Sequence, residues 1–127
     1  MISRRLLGGL AMAGLARPAG ATPGLSVFEM AEPSGEPGVA LRVFVYRPAA
    51  WRPADQAIIV LHGQGRDADR YIAQWAPQAE ATGLLVIAPE FSQRKYPGVA
   101  AYNWGNVVTE AGTPNPPEAW IFGAIDR

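Results

Sequence analysis

Two short, unbroken apolar runs constrain this chain more than any other feature: Ala57-Ile58-Ile59-Val60-Leu61 and Leu84-Leu85-Val86-Ile87-Ala88. Runs of five apolar residues rich in β-branched side chains read as strands covered on both faces. Between them, Ile72, Trp75, Ala76 and Ala79 recur at helical spacing. Strand, helix and strand in that order form a βαβ unit, which predicts parallel strands joined by a right-handed crossover. His62-Gly63-Gln64-Gly65 ends the first strand in a glycine loop, and Asp67 or Asp69 suits the cap of the following helix. Pro77 predicts a break in that helix and the start of a second short one, and Gly83 supplies the stop. Pro89 ends the second strand.

The flanks extend this unit. Leu25 to Met30 reads as a short edge strand inside a stretch broken by Pro23, Pro33, Gly35, Pro37 and Gly38. Val39 to Tyr46 alternates, with Leu41, Val43 and Val45 on one face and Arg42, Phe44 and Tyr46 on the other. Phe91 to Pro114 reads as a long loop carrying Tyr96, Tyr102 and Trp104. Asn115-Pro116-Pro117-Glu118 predicts a helix entry, with Ile121, Phe122 and Ile125 as the buried face and Asp126 and Arg127 on a solvated one. The fold class is α/β. Two parallel strands with one crossover leave exposed edges, and the last helix shows no Gly or Asn cap, so the expectation is an unfinished sheet with flanking helices.

Composition narrows the function classes. The chain has 127 residues, against the roughly 200–250 that a large α/β domain often takes. Formal charge balances at 11 basic and 11 acidic groups, but Arg4, Arg5 and Arg17 precede every acidic residue. The body is therefore mildly acidic and has no basic stripe for nucleic acid. There is no cysteine, which excludes disulfides and thiolate metal sites, and His62 is the one histidine. Residues 1–21 read as a signal peptide: Arg4-Arg5, an apolar Leu6–Ala16 stretch, and Ala19-Gly20-Ala21 as a cleavage site. Ser3-Arg4-Arg5-Leu6-Leu7 and the weakly apolar core suit the twin-arginine type. Export to the periplasm or the extracellular space is expected, with no membrane association once the signal is cleaved.

Residues from about 39 to 127 resemble a known family. Val45-Tyr46-Arg47-Pro48, the Ile58–Gly63 strand and dipeptide, and Leu84–Phe91 are similar to secreted α/β-hydrolases, above all polyhydroxyalkanoate depolymerases and feruloyl esterase-type esterases. Asn103-Trp104-Gly105-Asn106 and Trp120 to Asp126 also sit where that family has a loop and the helix before its nucleophile strand. The resemblance implies that residues 22–127 are the N-terminal part of an α/β-hydrolase domain. The parent would cleave carboxylic esters by a Ser-His-Asp mechanism, without cofactor or metal, on a small-molecule or polymeric ester.

The family's serine sits in a Gly-x-Ser-x-Gly elbow. No such pentapeptide occurs here: the serines are Ser3, Ser26, Ser34 and Ser92. The triad histidine and acid follow the serine in that family, so His62 is not the base, and the chain as given is expected to be inactive. The resemblance instead implies that His62, Gly63, Gln64 and Gly65 form an oxyanion-hole loop, with a Gln64 or Gly65 backbone N–H as the donor. The His62 ring would hold the loop in shape. Tyr102 and Trp104 are candidate substrate contacts, with lid or core packing as the bland alternative. Glu90 is expected as rim structure, and Asp67 and Asp69 as capping residues rather than metal ligands. Two other readings stand beside the hydrolase fragment: a secreted, non-catalytic binding module that uses its aromatic loop, and the product of a split reading frame with no independent activity.

Overall fold

The computed structural model describes residues 22–127; the signal-peptide reading of residues 1–21 lies outside the described residues. Four strands form one mixed sheet among them: β1 (Gly24–Met30), β2 (Leu41–Arg47), β3 (Ala57–Ile59) and β4 (Leu85–Glu90), in the order β1-β2-β4-β3. β2 runs antiparallel to both β1 and β4, while β3 and β4 are parallel, with Ile58 opposite Val86. The parallel pair and the helix between its strands are as the apolar runs predict.

The alternation in β2 sets the two layers. Leu41 and Val43 enter one core cluster with Phe91, Tyr96, Tyr102, Ile121 and Ala124. Phe44, one pleat over, enters the other with Ala68, Ile72, Ala79, Val86 and Ala88. One sheet face is thus covered by α1 (Ala68–Thr82), and the opposite face by the long loop after β4 together with α2 (Ile121–Asp126). Two buried alanines of α1, Ala68 and Ala79, bring its backbone close to β2 and β4. Ile72 is fully buried there, a burial worth roughly 1.5–3 kcal/mol.

Several expectations are corrected. The run Ala57–Leu61 is not a strand covered on both faces: only Ala57–Ile59 is strand, and Ile59 and Leu61 are 46% and 43% exposed. β3 is an edge of the described sheet, and α1 packs on β2 and β4. Pro77 does not break α1, which runs continuously from Ala68 to Thr82. Pro77 and Ala73 both lie on the exposed side, so the Ala73 carbonyl that loses its helical partner faces water. Gly83 stops the helix as expected, in the left-handed conformation at φ 74°, its N–H donating to Ala79 O at 2.8 Å. Pro89 lies inside β4, opposite Val43, rather than ending it. The β3 pairing has already stopped at Ile87, so Pro89 needs a neighbour on one side only.

The C-terminal helix also differs. A separate 3-10 turn covers Pro117–Ala119, and α2 begins at Ile121. Its buried residues are Ile121 and Ala124, while Phe122 is 51% exposed. In so short a helix, positions i and i+3 face the core and i+1 turns away. Arg127 is not merely solvated, because its Nε donates to the buried Glu32 carboxylate at 2.9 Å.

Candidate functional site

The glycine loop leaves β3 at the carboxyl ends of the parallel strands. Val60 N–H still donates to Ile87 O at 2.8 Å, and two residues later the His62 ring turns inward to 4% exposure. His62 Nε2 accepts the Phe91 N–H at 3.0 Å. The proton must then sit on Nδ1, which donates to Gly63 O at 2.9 Å. Burial holds the ring's pKa below the usual histidine range, and the nearby Arg66 charge adds to that, against the opposing pull of the Gly63 carbonyl. Both ring nitrogens are thus engaged by backbone groups, of Gly63 and of Phe91.

Aromatic residues from the long loop back this arrangement. Tyr102 is buried and its hydroxyl donates to His62 O. Its ring stacks on Phe91 at a centroid distance of 5.2 Å and lies 4.6 Å from the His62 ring. Tyr102 is therefore packed core behind the loop, whereas Trp104 is 49% exposed beside it in sequence. The structure thus separates the two candidate substrate contacts.

Gln64 and Gly65 are both exposed. Among the described residues, neither of their N–H groups has a hydrogen-bond partner. The turn that carries them closes with Arg66 N–H donating to Gly63 O at 3.2 Å. The residue in the left-handed region is Arg66, at φ 55°, and not either glycine of the loop. Asp67 takes the N-cap position of α1, but its side chain makes no cap bond and instead accepts from Arg70 Nε. A charge-assisted bond to guanidinium is stronger than one to a neutral N–H. Glu90, at the end of β4, is paired with Arg42 at 2.7 and 2.8 Å and belongs to the rim.

Sequence reasoning missed the buried cations. Arg66 is 7% exposed and donates to the carbonyls of Phe91, Tyr96 at 3.0 Å and Gly98 at 2.7 Å, with its guanidinium 4.6 Å over the Tyr102 ring. Lys95 is fully buried and donates to the carbonyls of Glu32, Glu36 and Val39. Basic residues read as surface in a sequence, and no local pattern marks these two otherwise. Among the described residues, Ser34 Oγ shares a hydrogen bond with Tyr96 Oη at 2.9 Å, and Ser92 Oγ accepts the Lys95 N–H at 3.3 Å. A hollow of about 580 Å³ is lined by residues of the Glu29–Ala40 stretch and not by the glycine loop.

Neither a family model nor a curated protein matches the chain. Solved structures do match. The poly(3-hydroxybutyrate) depolymerase LpqC from Bordetella parapertussis is 29% identical, with a TM-score of 0.73 over 84% of this chain and 36% of its own. The poly(aspartic acid) hydrolase-1 from Sphingomonas sp. KT-1 is 36% identical, with a TM-score of 0.70 over 83% of this chain and 39% of its own. The chain thus spans well under half the length of the structures it matches. Its structural neighbours are α/β-hydrolase-type depolymerases, and its mixed sheet with flanking helices is part of an α/β-hydrolase fold.

Proposed function

We propose that residues 22–127 are the N-terminal part of an exported serine hydrolase that cleaves carboxylic ester or related acyl bonds in a polymer. In this reading the Gly63–Gly65 turn contributes donors to the oxyanion hole. The serine, its histidine and the acid come from sequence outside these 127 residues. The observation that carries it is the pair of exposed, unpartnered N–H groups of Gln64 and Gly65, held in a loop whose flanking residues His62 and Arg66 are buried and tied down. Such donors stabilise the negative oxygen of a tetrahedral acyl intermediate when a nucleophile is aligned with them. The two neighbours support the substrate class, since their names concern a polyester and a poly(amino acid).

A fluorophosphonate probe tests this. The 127-residue chain should remain unlabelled and should not turn over p-nitrophenyl butyrate. The same protein extended along its reading frame should be labelled at a serine after Arg127. Stoichiometric labelling of Ser92, abolished by His62→Ala, would overturn the reading by revealing a catalytic pair inside the chain.

Export is proposed to follow the twin-arginine route through residues 1–21, with cleavage after Ala21. A reporter fusion that is exported equally well with both Arg4 and Arg5 replaced by lysine would remove that assignment. Among the described residues, no helix is long and apolar enough to cross a membrane. The exposed Trp104 and Phe122 favour a second reading, in which the chain binds a polymer surface without cleaving it.

A further inference from the structure

We propose that Arg66 is the positioning residue of the glycine loop: by gripping the loop after β4, its guanidinium sets the direction in which the Gln64 and Gly65 N–H groups face. The inference rests on the oxyanion reading above and names the side chain that would make that hole rigid.

The geometry carries it. Only three residues separate His62 from Arg66, and Phe91 holds both ends: its N–H donates to His62 Nε2, and its carbonyl accepts from Arg66 Nη1. Nη1 also reaches Tyr96 O, and Nη2 reaches Gly98 O. The face of the guanidinium rests on the Tyr102 ring, and the Tyr102 hydroxyl returns to the His62 carbonyl. The turn between the two anchors therefore has little freedom. Arg66 is one of two non-glycine residues in the left-handed region among those described. A bulky side chain keeps that backbone only where its surroundings over-determine it, and here three carbonyls and a ring do so. The planar fork matters because its two nitrogens stand apart, Nη1 on the Phe91 and Tyr96 carbonyls and Nη2 on that of Gly98, and an ammonium is a single point that cannot stand at both positions. Arg66 touches no reacting atom in this scheme and acts through the backbone of Gln64 and Gly65.

The test compares Arg66→Lys with the wild type in the protein extended along its reading frame. Val86→Ala is the control, destabilising the core between α1 and the sheet without touching the loop. A displacement of the donors by about 1 Å predicts a fall in kcat of roughly 100-fold. KM should stay within about twofold, since a donor that acts mainly in the transition state contributes little to ground-state binding. The rate of fluorophosphonate labelling should fall with kcat, and hydrogen exchange at the Phe91 amide should accelerate. Val86→Ala should lower the melting temperature while leaving the kcat of the folded protein unchanged. A folded Arg66→Lys protein labelled at the wild-type rate would overturn the positioning role alone, as would a kcat loss that Val86→Ala reproduces at equal destabilisation. A wild-type protein that the probe never labels would sink the hydrolase reading itself.

Discussion

Replacing Lys95 by methionine should destabilise this protein by about 2–4 kcal/mol, and the structure shows where that figure comes from. Lys95 is fully buried, and its Nζ donates to Val39 O at 2.6 Å, Glu32 O at 2.8 Å and Glu36 O at 3.3 Å. These carbonyls belong to the segment between β1 and β2, which the lysine clips onto the loop after β4. The backbones meet closely there: Glu36 N–H donates to Lys95 O at 2.7 Å, and a Cβ on Gly35 would stand 2.5 Å from the same oxygen. Methionine fills nearly the same volume, so the cavity contribution is small. The loss is polar. A carbonyl left buried without a donor costs about 1–3 kcal/mol, and the Glu32 bond is the one enclosed on all sides. The Glu36 and Val39 bonds are partly buried, so water recovers part of their loss and each adds less. Relief of the buried ammonium offsets a further part. For a domain of about 100 residues the result is a fall in melting temperature of at least about 8 °C. Urea unfolding of wild type and Lys95→Met, analysed at a common m-value, measures it. A change below about 1 kcal/mol, the size expected of an exposed ion pair, would refute the claim that this clip holds the two loops together.

Two further outcomes follow from the same structure. His62 is held below its ordinary pKa by burial, so the unfolded chain takes up a proton before the folded one does. The stability this gives is fully present above about 6.5, the ordinary histidine value, and is lost as pH falls from there toward the folded value. His62→Gln keeps an acceptor for the Phe91 N–H but does not titrate, and should flatten that part of a melting-temperature profile; an unchanged slope would show that another group is responsible. Pro77→Ala should stabilise the protein by about 2–2.6 kcal/mol, because proline inside a helix costs about 3 kcal/mol against alanine and stiffening of the unfolded chain returns only about 0.4–1 kcal/mol; a lower urea midpoint would contradict the assignment of α1 as one continuous helix.

The local periods of the chain determine much of the architecture by themselves. The two apolar runs, the helical spacing between them and Gly83 define the βαβ unit, and the two-residue alternation of Leu41 to Tyr46 marks a strand with two faces. These signals are legible because a strand or helix writes its own repeat into neighbouring residues. The glycine loop is legible for a similar reason, since it must end a strand and open a helix within a few positions. Only the tertiary structure decides the rest. Ala57–Leu61 has the composition of a fully covered strand, yet burial depends on which elements lie above and below it, and α1 lies over β2 and β4. Phe122 is as apolar as Ile121, but the start of α2 at Ile121 turns one inward and the other out. Arg66 and Lys95 are the clearest case. Each is buried because carbonyls far away in the chain, at Phe91 to Gly98 and at Glu32 to Val39, converge on its charge. Neither partner's neighbours in sequence carry any trace of that meeting, because a backbone carbonyl is the same acceptor in every residue and only the fold brings three of them to one cation.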